Sequence, residues 1–232
     1  MKILGIDTST MTGALAIVDG DELIAELRTN VAVTYSERIM LHVDGLLKSA
    51  RMTLADLDGF AVGIGPGSFT GLRIGLATVK GLAYGTGKPV AAVGTLDAIA
   101  DNLPLCAYQV CTALDARKEM VYAALYQDEV AGRRTLMPPS ALTLEELAGY
   151  ITEPTVFVGD GAKVYRDKLR ERLGDLAIFA PRVYGYPTGA AVALRGHRDI
   201  ESGNAADPFT LAPLYIRPPD AKEPKCKSNF PL

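Results

Sequence analysis

Histidine is scarce in this chain. Only His42 and His197 occur among 232 residues, and neither belongs to an HxxxH or HExxH pair, so no zinc or iron hydrolase ligand set is visible. A Ser-His-Asp or Cys-His centre would have to recruit one of these two, and each falls on an expected helix among ordinary residues. Cys106, Cys111 and Cys226 show no CxxC or metal-ligand spacing, and their odd number reads as reduced thiols. Two acidic turns remain as candidates for chemistry. Asp7-Thr8-Ser9 closes the first strand, and Asp115 closes a strand at the equivalent place in the second half of the chain. One reading, by analogy with folds in which two such turns face each other, is a nucleotide cleft with Asp7, Thr8, Ser9 and Asp115 around the phosphates and the turn at Gly159 and Gly161 at the adenosine. The competing reading is that both aspartates brace their own turns through backbone hydrogen bonds. Neither acidic turn carries the glycine that close phosphate approach favours.

The glycine-rich stretch from Gly63 to Gly85 lies between these turns. It is not a P-loop: Gly87-Lys88 is followed by Pro89 rather than Ser or Thr. Nor is it a GxGxxG fingerprint or a GxSxG nucleophile elbow, since Ser68 occupies the last glycine place. The loop reads either as an anion site at a helix start or as a tight strand-to-helix turn, with Ser68 or Thr70 as cap. The helix behind it carries only Arg73 and Lys80 as charges between Phe69 and Gly85. Leu72, Leu76, Val79 and Ala83 form one apolar stripe. Ile74, Ala77, Thr78, Gly81 and Gly85 form another on a different side. So little polar surface predicts burial on more than one side. Gly71, Gly75 and Gly81 cost about 1 kcal/mol each relative to alanine, which predicts close approach by another helix as the offsetting gain.

The elements that position these residues fall into a repeated order. Strands are expected at Lys2–Ile6, Gly13–Val18 and Glu22–Thr29, then a helix opened by a capping box at Thr34–Glu37, with Ile39, Val43, Leu46, Leu47 and Ala50 on one face. A strand at Gly59–Ile64, the glycine-rich helix, a strand at Pro89–Val93 and a short helix capped by Thr95 complete the first half. The second half runs through strands at Gln109–Leu114, Met120–Tyr126 and Glu129–Met137, a helix from Thr143, and a strand at Thr155–Val158. A single helix at Ala162–Leu173, a strand at Leu176–Phe179 and a last helix at Thr188–Glu201 follow. The repeat is one of pattern rather than of residues. The units expected are 1–105 and 106–216, with an extended or disordered tail at 217–232 that is rich in proline and lysine. Net charge of −3 gives no basic footprint for autonomous nucleic-acid binding. No signal peptide or bilayer-length apolar run is present, so a cytoplasmic protein is expected.

Two runs carry a family resemblance: Ile3-Leu-Gly-Ile-Asp-Thr-Ser9, and Asp56-Leu-Asp-Gly-Phe-Ala-Val-Gly-Ile-Gly-Pro-Gly-Ser-Phe-Thr-Gly-Leu-Arg-Ile-Gly75. With Asp115-Ala-Arg117 and the late Tyr215-Ile-Arg217, the whole chain resembles the bacterial TsaB (YeaZ) family, densely in the first half and more loosely in the second. The resemblance implies an α/β fold of two tandem actin-like (ASKHA, ribonuclease H-like) domains, each a mixed sheet flanked by helices. It implies a non-catalytic scaffold and activator subunit in tRNA threonylcarbamoyladenosine modification, with a TsaD-type transferase as heterodimer partner, a TsaE-type ATPase in a larger complex, and a homodimer when alone. Contact with tRNA comes only through the complex, and no membrane is involved. No cofactor is required, weak ATP or ADP binding being the open addition. TsaD-type proteins carry an HxxxH metal motif, and the matching region here, Leu96 to Leu103, has none. Tyr35 stands where relatives often have histidine. The interface implied uses the helices at 34–50 and 68–85, through Ser36, Ile39, Met40, Val43, Leu47, Gly71, Ile74, Gly75, Thr78 and Leu82. The rival class is an ATP-using phosphotransferase of the actin-like superfamily built on Asp7 and Asp115.

Overall fold

The computed structural model describes residues 1–30 and 38–217. The first half forms β1 (Lys2–Asp7), β2 (Gly13–Asp19), β3 (Glu22–Thr29), α1 (Ile39–Ser49), β4 (Gly59–Gly65), α2 (Phe69–Thr86), β5 (Val90–Gly94) and α3 (Thr95–Ala100). The second forms β6 (Gln109–Asp115), β7 (Met120–Glu129), β8 (Gly132–Thr143), α4 (Leu144–Tyr150), β9 (Thr155–Val158), α5 (Asp160–Val164), α6 (Arg166–Leu173), β10 (Ala177–Phe179) and α7 (Gly189–Glu201). Each half builds a five-stranded sheet of the same topology, β3-β2-β1-β4-β5 and β8-β7-β6-β9-β10. The meander strands pair antiparallel, and the strands reached through helices pair parallel. The molecule is therefore two tandem actin-like units, each a mixed sheet with helices on both faces.

Hydrophobic burial explains the layering. On one face of the first sheet, Ile39, Val43, Leu46 and Leu47 of α1 share a core with Leu76, Val79, Leu82 and Ala83 of α2 and with Leu4, Ile6 and Phe60 beneath them. The opposite face is covered by α7, whose Ala191, Val192 and Ala193 pack on Ile3, Val18, Ala61 and Ala91. The division at 105/106 assigns α7 to the second unit, whereas its packing ties it to the first sheet. The exchange is mutual: Leu96, Ile99 and Ala100 of α3 pack on Val110, Leu114 and Tyr126 of the second sheet. Between the sheets α3 meets α7. There Asp101 accepts Arg195 Nε at 2.5 Å and Arg133 Nη1 at 3.2 Å, so arginines from α7 and β8 share one carboxylate.

Several boundaries differ from the sequence expectation, each for a local reason. Pro138-Pro139 reads as the end of a strand, yet β8 runs on to Thr143. It is an edge strand, and the two prolines fall where the register shifts between the Leu125–Met137 and Ala123–Ser140 pairs. The helix expected at 162–173 is two, broken at Tyr165, a buried residue whose hydroxyl donates to Asp115 Oδ1 at 2.9 Å. Gly94, not Thr95, is the cap of α3. Thr95 is its first helical residue, with a buried hydroxyl that has no partner. The capping box at Thr34–Glu37 and the tail beyond Arg217 lie outside the described residues.

Candidate functional site

The Asp7 turn and the glycine loop close on each other. Ser9 donates from its amide and its hydroxyl to Asp7 Oδ1 at 2.9 and 2.7 Å, and Thr8 donates from Oγ1 to the carbonyl of Gly71 at 2.7 Å. From the loop, the Ser68 amide donates to the Ser9 carbonyl at 2.6 Å, while the Ser68 hydroxyl accepts from the Gly71 amide and caps α2. This contact explains two of the helix glycines. A Cβ at Gly71 would stand 1.9 Å from the Thr8 carbonyl oxygen, and one at Gly75 would stand 2.4 Å from Thr8 Oγ1. Gly81 has no neighbour within 4 Å of that position. The close approach expected from a partner helix is thus made at Gly71 and Gly75 by the chain's own first turn, while Gly81, like Gly85 a turn further on, remains open.

Asp7, Thr8 and Ser9 are buried, and the Thr8 and Ser9 hydroxyls are already engaged within the turn and helix. Asp7 Oδ2 lies where a Cβ on Gly63 would be, 1.9 Å away, and has no hydrogen-bond partner. Across the chain, Asp115 receives Tyr165 Oη and the Arg117 amide and gives its own amide to Asp160 Oδ1. Gly159 and Gly161 sit against β6, where a Cβ would stand 2.1 Å from the Ala113 carbonyl oxygen and 2.7 Å from the Leu114 carbonyl carbon. The structure so brings Asp115, Gly159 and Gly161 together as a brace for their own half. Among the described residues no group of three or more His, Cys, Asp or Glu could hold a metal ion. His197 is largely packed and lies 3.8 Å from Glu201.

Burial holds Asp7 above the usual carboxylate range, at about 6, against the lowering effect of the two Ser9 hydrogen bonds. A carboxyl raised in the folded state binds its proton more tightly there than in the unfolded chain. Its contribution to stability therefore grows as pH falls from about 7 towards 4, and the charged form is the costly one above pH 6. Wild type should gain about 1.5 kcal/mol from this group between pH 8 and pH 5. Urea unfolding at the two pH values measures it: Asp7→Asn should lack that increment, and an identical slope in both proteins would contradict the assignment.

The other feature of α2 is its outer face. Of the residues named for an interface, Ile39, Val43, Leu47 and Leu82 are core side chains, and Gly71 and Gly75 are buried against Thr8. They point to the sheet because the most regular apolar stripe on each helix is the one facing its own core. Ser36 lies outside the described residues. Met40, Ile74 and Thr78 carry exposure. Beside them lie Leu41 at 68% exposure and Tyr84 at 78%, with Ala77, Gly81 and Gly85 also exposed. The second stripe of α2, Ile74-Ala77-Thr78-Gly81-Gly85, is thus the outward one. Thr78, half-buried, turns its hydroxyl back to the Ile74 carbonyl at 2.9 Å, so that polar group is already satisfied within the helix. Both charges of the helix are drawn aside: Arg73 sits 3.8 Å over Phe69 and donates to Tyr215 Oη, and Lys80 reaches the Phe209 carbonyl. Since α1 packs over β2 and β3 and α2 over β1 and β4, the two helices lie side by side on one sheet face.

Over 225 residues the chain is 31% identical to the tRNA threonylcarbamoyladenosine biosynthesis protein TsaB of Bacillus subtilis, a match covering 96% of each. The chain belongs to the TsaB (YeaZ) family. The TsaB of Escherichia coli is 36% identical over 134 residues, covering 57% of this chain and 58% of that protein. A family model described as tRNA N6-adenosine threonylcarbamoyltransferase, TsaD, matches residues 29–225. The structure of YeaZ from Pseudomonas aeruginosa superposes with a TM-score of 0.79 at 26% identity, over 92% of this chain and 99% of that one. In this TsaB-family chain, what sequence reasoning missed is Leu41, Tyr84 and the segment from Phe209 to Tyr215 that draws off the two charges. The outward stripe itself was visible at helical spacing.

Proposed function

We propose that this chain is a non-catalytic scaffold and activator subunit of the tRNA threonylcarbamoyladenosine machinery. It docks a TsaD-type transferase through the outer face of α1 and α2, and pairs with a second copy of itself when that partner is absent. The observation that carries the reading is the outward stripe of α2, with Ala77 and Gly81 exposed, Ile74 and Thr78 half-buried, the Thr78 hydroxyl satisfied within the helix and its only two charges held to one side. A small-residue stripe lets a second helix approach closely, and such a face left in water has no other offsetting contact. Activation then rests on differential affinity for one state of the partner, with the chemistry in the partner. The names of the relatives supply the pathway, and the buried Asp7 turn supports a role without phosphoryl transfer. A cytoplasmic location belongs to the same reading.

Nucleoside analysis of tRNA after depletion of this chain tests it. Threonylcarbamoyladenosine should fall, and wild-type protein should restore it. Gly81→Arg, placed in open space on the outer face, should fold normally yet weaken co-elution with the transferase by about 100-fold or more, since docking would bury an unpaired guanidinium. An unchanged nucleoside on depletion sinks the pathway, and full rescue by Gly81→Arg sinks the interface.

A further inference from the structure

A shallow hollow opens at the carboxyl ends of the parallel strands β9 and β10, lined by Gly159, Lys163, Arg166, Phe179, Arg182 and Gly185. Its innermost room is about 30 Å³, enough for a water or a phosphate oxygen. No acidic side chain lines it. Arg166 and Arg170 lie 4.7 and 5.7 Å from the Phe179 ring centre, so their guanidinium planes are fixed beside the opening. Lys163, Arg166, Arg170 and Arg182 are exposed and form no ion pair among the described residues, with Asp167 and Glu171 on α6 engaging none of them. On the same helix Lys168 does pair, with Glu119, so the cations that remain unpaired there are the ones turned towards the hollow and Phe179. In a chain of net charge −3, four unmatched cations around one hollow are a local concentration of positive potential.

We propose that this hollow binds the sugar-phosphate backbone of an RNA strand. The arginine forks match phosphate oxygens, the hollow admits an oxygen at its floor, and the absence of any lining carboxylate leaves a polyanion unopposed there. The choice of RNA rests on the pathway proposed above; the phosphate chemistry does not. Because only three or four cations act, binding by the chain alone is weak and salt-sensitive, and it serves to position an RNA already held elsewhere.

The test is fluorescence anisotropy of a labelled anticodon stem-loop RNA titrated with the full chain across a salt series. Lys163→Ala/Arg182→Ala leaves the Phe179 stack untouched. It should weaken binding about tenfold at low salt and reduce the slope of log affinity against log salt by about 2. Lys48→Ala/Arg134→Ala removes the same charge from exposed ion pairs elsewhere and should change neither. The proposal falls if wild type does not bind, if both double variants lose affinity equally, or if ATP displaces the RNA at its own stoichiometric binding. The assay involves no transfer reaction. Its failure leaves the scaffold reading intact, and that reading fails separately in the nucleoside analysis.

Discussion

Asp101→Ala should lower the unfolding free energy by about 2–4 kcal/mol, the range for stripping the partner from a buried ion pair with a discount for partial exposure. The side chains of Asp101, Arg133 and Arg195 are 23%, 12% and 29% exposed. Without Asp101, Arg195 keeps only Asp97 at 4.0 Å, outside hydrogen-bond reach, while Arg133 retains its two bonds to Asp128. The loss therefore falls mainly on Arg195, the residue that α7 sends from the first sheet to α3. Thermal unfolding should shift downward by on the order of 10 °C. Because α3 rests on the second sheet and α7 on the first, the variant should also unfold less cooperatively, with a broadened or split transition. Adding Arg195→Leu should recover part of the loss by removing the orphaned charge. A single sharp transition at the wild-type temperature would show that the network does not join the halves.

That network also marks what a sequence can and cannot display. The repeated strand-strand-strand-helix order was legible because β1 and β6 are unbroken apolar runs ending in aspartate, and because turns at Asp19-Gly20 and Gly159–Gly161 punctuate them. The destination of α7 was not legible. Its Gly-Ala-Ala-Val-Ala stretch is a small-residue helix that fits any tight surface, and only the three-dimensional return of the chain chooses the first sheet over the second. The same limit governed the site. Both stripes of α2 were visible at helical spacing, but which one faces water is decided by Thr8, more than sixty residues earlier in the chain. On α1 the regular stripe Ile39-Val43-Leu47 suits an interface and a core equally, and the fold makes it core; of the glycines Gly71, Gly75 and Gly81, the first two are explained by Thr8 rather than by a partner. Asp7 shows a further limit: its residue type fits either a phosphate turn or a self-bracing one, and only the fold shows it buried beneath the glycine loop with Ser9 bonded to it.

The glycines of α2 should consequently separate into two classes when each is replaced by alanine. Gly71→Ala puts a methyl 1.9 Å from the Thr8 carbonyl oxygen, a backbone atom held in a buried turn that cannot swing aside. Either α2 lifts from the sheet or the turn shifts, and each route breaks the Thr8–Gly71 hydrogen bond and the loop contact from Ser68 to Ser9. Overpacking and the lost hydrogen bond together should cost about 3 kcal/mol or more. Gly81→Ala adds a methyl in open space on a right-handed turn and should stabilise the isolated chain by about 0.5–1 kcal/mol, by lowering the entropy of the unfolded state. Denaturant midpoints of the two variants thus move in opposite directions. If the outer face docks a helix as proposed, larger side chains at position 81 impair assembly while leaving that stability gain in place, a combination that position 71 cannot produce. Equal destabilisation at both sites would mean that Gly81 is also packed within the chain, and the docking face would have to lie elsewhere.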